Sequence, residues 1–81
     1  MIVARQIKAG RALAALSQKD VAKLAGVGIA TIRRIEAAID EITGTAQTLS
    51  RIQKALEAAG VMFIDQDEER GPGVRLRKPL P

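Results

Sequence analysis

The sequence predicts a mainly α fold: four short helices followed by a C-terminal β-hairpin. Three observations predict it. Apolar residues recur at i, i+3, i+4 and i+7 through residue 60, interrupted by capping and stop residues. After Gly60 the period changes to the alternation of a strand, in VMFID and again in VRLRK, with the acidic, Gly/Pro-bearing QDEERGPG between them. The chain has 81 residues and one aromatic, Phe63, so a single small core of Ile, Leu and Val must hold it.

The first helix is expected over residues 2–16, with Val3, Ile7, Gly10 and Ala14 on one stripe and Leu13 and Leu16 beside it. Glycine inside a helix costs about 1 kcal/mol relative to alanine, and Gly10 therefore points either to close approach by another helix or to a tolerated weak spot. Ser17 is a good N-cap for a second helix starting at Gln18, with Asp20 three residues on favouring the positive helix end. Val21, Leu24 and Ala25 form its expected apolar face, and Ala22 stays small where a second helix comes near. Gly26 ends it. The third helix, residues 28–37, should bury Ile32 and Ile35 and turn Ile29, Ala30, Arg33 and Arg34 outward.

Gln18, Ala22, Gly26, Val27, Ile32 and Ile35 fall where the helix-turn-helix of Cro- and phage-repressor-like regulators, the XRE family, has them. A two-helix apolar pattern alone is weak. The small residue, the glycine and the apolar residues at fixed offsets together are more specific, and Arg11 and Glu36 extend the resemblance on either side. It implies a lambda-repressor-like helical domain over residues 1–60, with the hairpin of residues 61–81 as an extension. It also implies that Arg11 reaches Glu36 as a structural ion pair, that Arg34 matches a base-contacting position, and that Gln18 lies at the DNA backbone. Thr43 and Thr45 resemble positions near phosphate, although capping alone explains Thr45 as well. Two departures stand out: Gly28 replaces the usual Ser or Thr cap of the recognition helix, and Ala37-Ala38 replaces the common helix stop.

If the third helix enters the major groove, Ile29 and Ala30 sit where side chains specify sequence. They would meet thymine methyl groups, while Arg34 can donate two hydrogen bonds to guanine. Arg33, Lys19, Thr31 and Gly28 complete the expected backbone contacts. Residues 38–44 are the expected connecting loop, and Thr45 caps a fourth helix whose core stripe is Leu49, Ile52 and Leu56. In the hairpin VMFID is apolar on both faces, whereas in VRLRK Val74 and Leu76 oppose Arg75 and Arg77. An isolated hairpin is marginally stable, so Met62, Phe63, Ile64, Val74 and Leu76 are the expected dimerisation residues.

The formal charge is +4, and the excess lies in residues 1–60, with nine Lys/Arg against five Asp/Glu; residues 61–81 carry four of each. That balance suits a polyanionic partner, double-stranded DNA. Cysteine and histidine are absent, and no paired-acid, nucleophile-base or phosphate-loop pattern occurs, so neither catalysis nor a cofactor or metal is expected. No apolar run would span a membrane, and the expected setting is cytoplasmic. The expected function is a homodimeric repressor on an inverted-repeat operator. The alternative is a protein-interaction module, an antitoxin or anti-regulator, using the helix-turn-helix surface or the sheet edge on a protein partner.

Overall fold

A computed structural model describes residues 2–38 and 44–81 as four helices and one hairpin. The helices are α1 (Ala4–Leu13), α2 (Gln18–Ala25), α3 (Ile29–Ala37) and α4 (Ala46–Ala58). Strands β1 (Val61–Ile64) and β2 (Gly73–Leu76) pair antiparallel, with Val61 opposite Leu76 and Phe63 opposite Val74. Most of the loop expected at residues 38–44, including Thr43, lies outside the described residues. No helix among the described residues is long and apolar enough to cross a membrane.

Helix α1 is shorter at both ends than residues 2–16. The Val3 N–H donates to the Gln6 side-chain oxygen at 2.9 Å, which places Val3 at the cap, 36% exposed, instead of on the buried stripe. Ile2, Ala4, Gln6, Ile7 and Gly10 are the buried residues there. At the other end Ala15 takes a left-handed φ of 57°, so the chain leaves the helix before Leu16, and Leu13 is exposed.

Helix α2 begins as its cap residues dictate. The Ser17 hydroxyl accepts from the Asp20 N–H at 3.0 Å, and the Asp20 carboxylate accepts from the Ser17 N–H at 2.9 Å. Hydrogen bonding to the carboxylate from the Ser17 backbone N–H, then from the Ser17 side chain, holds the Asp20 carboxyl below its ordinary pKa. Gly26 closes the helix at φ 70°, a conformation that a side chain would disfavour. The expected face of α2 needs one correction: Leu24 is 59% exposed. At about 100° per residue, the arc joining Val21, Ala22 and Ala25 excludes it. Helix α4 carries its expected stripe, with Leu49, Ile52 and Leu56 buried and the Thr45 hydroxyl accepting from the Thr48 N–H at 3.1 Å.

The core joins all four helices to the hairpin. Ile7, Val21, Ile32, Ile35, Ile52, Leu56 and Val61 are almost wholly buried, and Phe63, Val74 and Leu76 pack against them. This separates the residues grouped above as one dimerisation set. Phe63, Val74 and Leu76 face the helices of their own chain, while Met62 and Ile64 point outward and are nearly half exposed. Strand alternation is the reason, since neighbouring side chains take opposite faces.

Gln6 fastens the hairpin. Its side chain is buried, and its amide nitrogen donates to the carbonyls of Ile64 at 3.1 Å and Gly73 at 3.0 Å, the pair that ends the ladder. At the other end of the hairpin Gly10 lies under Val61. A Cβ placed there would come within 3.1 Å of Val61 Cγ1 and 3.8 Å of Leu56 Cδ1. Gly10→Ala is therefore expected to change stability by less than about 1 kcal/mol, because gained helix propensity offsets the squeeze, while Gly10→Leu should cost about 1–3 kcal/mol. Urea unfolding of the two variants checks this, and equal stabilities would refute the close approach.

Candidate nucleic-acid interface

Helix α3 buries one side and presents the other. Ile32 and Ile35 are in the core, and Ala30, Arg33 and Arg34 are exposed. Ile29 is intermediate, packed partly against the core, so part of its side chain is withdrawn from any groove. Thr31 is also half-buried, whereas Lys19 and the cap residue Gly28 are exposed. Neither arginine of α3 is paired with a carboxylate among the described residues, which leaves both guanidinium forks available for phosphate or base edges.

Glu36 fixes the pose of α3. Its buried carboxylate accepts from Arg11 Nε at 2.8 Å and Nη2 at 2.9 Å, a two-point contact that sets orientation as well as distance. Arg11 Nη1 also donates to the Leu16 carbonyl at 3.0 Å, reaching the turn before α2. Hydrogen bonding to Glu36 raises the Arg11 pKa above its ordinary value, against the opposing effect of burial. Gln18 completes the network, donating from Nε2 to Glu36 Oε1 at 3.3 Å. One carboxylate thus links α1, the start of α2 and the end of α3.

The roles of Gln18 and Gln6 are the part that sequence reasoning missed. Gln18 stands at the first residue of α2, with its backbone amide at the positive helix end, but its side chain is engaged with Glu36. At the far side of the surface Thr45 is exposed at the N-cap of α4, its hydroxyl donating to the Thr48 hydroxyl at 3.0 Å. The N-termini of α2 and α4 carry oriented amides, and the exposed side of α3 carries two cations. Together these groups supply the donors and positive charge that a phosphate backbone requires.

No curated protein matches the chain. The helix-turn-helix family model of XRE-type regulators matches residues 7–61, from Ile7 within α1 through α2, α3 and α4 to the first residue of β1. With the match covering more than half of the sequence, the chain belongs to the XRE family of helix-turn-helix, DNA-binding transcription regulators.

Proposed function

We propose that the chain is a repressor that binds an inverted-repeat operator as a homodimer, placing one α3 in the major groove of each half-site. The observation carrying this reading is the exposed arc Ala30–Arg33–Arg34 on a helix braced by Arg11, Glu36 and Gln18. Arg34 is assigned to a guanine edge, with Ala30 and the exposed part of Ile29 against thymine methyls. Lys19, Arg33, Thr31, Thr45 and the backbone at Gln18 and Gly28 are assigned to phosphate, and so, from the sequence alone, is Thr43. Half-sites then lie about one helical turn apart, or a multiple of it.

The dimer is assigned to β1. Its exposed Met62 and Ile64 lie on the outer face of the sheet. Pairing β1 with the same strand of a second copy would join four such side chains into one apolar cluster and close an open strand edge.

Footprinting on the protein's own promoter region tests the reading, with sedimentation run in parallel. Arg34→Ala should lose about 1–3 kcal/mol of preference at one base pair. Lys19→Ala should weaken all sequences alike and reduce the salt slope by about one. Met62→Lys with Ile64→Lys should yield monomers. Identical losses on operator and random DNA from both Arg34→Ala and Lys19→Ala would sink the division of roles, and an undiminished dimer would sink the β1 interface.

A further inference from the structure

We infer that the cleft between α1 and the free edge of β2 docks an extended acidic peptide, which adds to the sheet as a third strand. This surface is separate from the DNA-binding helices and from the β1 edge, and the inference stands without either assignment.

The phase of the ladder comes first. The Arg77 N–H donates to the Gly60 carbonyl at 2.9 Å, immediately beyond the Val61–Leu76 pair. Bonded pairs alternate in an antiparallel ladder, so the remaining ladder bonds fall on Met62–Arg75 and Ile64–Gly73. Val74 and Leu76 consequently turn their backbone N–H and C=O away from β1. These groups form a short template for another strand.

A cleft runs along that edge. Arg5, Ala9 and Leu13 recur every four residues on α1 and so share one side of the helix. A cavity of about 300 Å³ lies between Arg5, Gln6 and Ala9 of α1 and the start of β2, and one of about 500 Å³ lies between Leu13 and the chain from Val74 to Leu80, with the C-terminal tail as its far wall; the two meet at Val74. Ala9, Leu13, Val74 and Leu76 make the apolar floor. On the opposite face Arg75, and Arg77 continuing the alternation, are exposed, with Lys78 beside them, and none has a carboxylate partner among the described residues.

This arrangement specifies its ligand by position. Residues of an added strand opposite Val74 and Leu76 share their face and meet Ala9 and Leu13, which suits small apolar side chains. Residues opposite Arg75 and Arg77 share the outer face, which suits carboxylates. The preferred segment therefore alternates apolar and acidic residues. DNA would use the cations but neither the open carbonyls nor the apolar floor. A second copy of β2 fits poorly about a twofold axis. Bonding Val74 to the copy's Leu76 sets the two Arg75 side chains face to face, and bonding Val74 to the copy's Val74 sets Leu76 against Pro72, which has no N–H.

A labelled peptide of alternating valine and glutamate, titrated into the full-length protein by fluorescence anisotropy, tests the site. Saturable binding is expected, weakened about tenfold or more by Arg75→Glu with Arg77→Glu and also by Ala9→Trp, which fills the floor. Hydrogen exchange should show new protection at the Val74 and Leu76 amides. Far-UV circular dichroism and urea unfolding of the Ala9→Trp protein serve as the folding control. The inference is overturned if a valine–lysine peptide binds equally well, if Ala9→Trp leaves peptide binding unchanged, or if protection appears at Val61 and Phe63 instead. It is also overturned if the double arginine variant retains full affinity for the peptide.

Discussion

Replacing Arg11 with methionine should cost about 3–5 kcal/mol, because it strands a buried carboxylate. Glu36 has a side chain only 4% exposed, and without Arg11 it keeps a single side-chain bond, the 3.3 Å contact from Gln18. The reverse change is milder. In Glu36→Leu the guanidinium is 19% exposed and still reaches the Leu16 carbonyl, so a loss of about 1–3 kcal/mol is expected. Combining the two changes should cost less than the sum of the singles, since neither charge is then left alone. Exchanging the residues, Arg11→Glu with Glu36→Arg, should not restore stability. The new carboxylate would face the Leu16 carbonyl, which then loses its donor, whereas the Gln18 amide can turn its oxygen toward the new guanidinium. Urea unfolding of the four variants measures each step, and equal losses from the two singles, or full recovery in the exchange, would contradict the asymmetry. Operator affinity should fall in the order of the stability losses, because the same carboxylate holds α3 against the start of α2.

The local features of this fold were legible because they are short-range. Ser17, Gly26 and Thr45 act within a turn of their own positions, and the spacing of Leu49, Ile52 and Leu56 marks a face whatever lies against it. Periodicity identifies a face but not its depth. Spacing alone places Leu24 and Leu13 inward, yet they are 59% and 42% exposed. Long-range polar contacts leave still less trace. Gln6 bonds carbonyls 58 and 67 residues away, and nothing in a glutamine on α1 marks that partner. The Arg11–Glu36 contact entered only through family resemblance, since a pair separated by 25 residues has no periodic signature. The two faces of the hairpin were visible as an alternation, but only packing distinguishes the side on the helices from the side left open.

Removing residues 61–81 should abolish cooperative folding, although the family match ends at residue 61. Val61 is 1% exposed and lies over Gly10, while Phe63, Val74 and Leu76 cover the same core more loosely. Losing one fully buried and three partly buried apolar side chains amounts to about 5 kcal/mol. A domain of this size has a total of about 4–12 kcal/mol. Truncation also strips Gln6 of both carbonyl acceptors and leaves its amide to water. Far-UV circular dichroism with urea titration should show a shallow, non-cooperative loss of helix. In the intact chain Gln6→Leu should cost only about 1–3 kcal/mol and increase hydrogen exchange at the Ile64–Gly73 end of the ladder. A truncated chain that unfolds cooperatively with full helix content would show the hairpin to be dispensable. If it unfolds as expected, truncation cannot report on assembly, because loss of the fold and loss of the partner coincide. The outward-facing Met62 and Ile64 are then the positions at which the dimer is tested, since changing them leaves the Val61–Phe63 face on the helices intact.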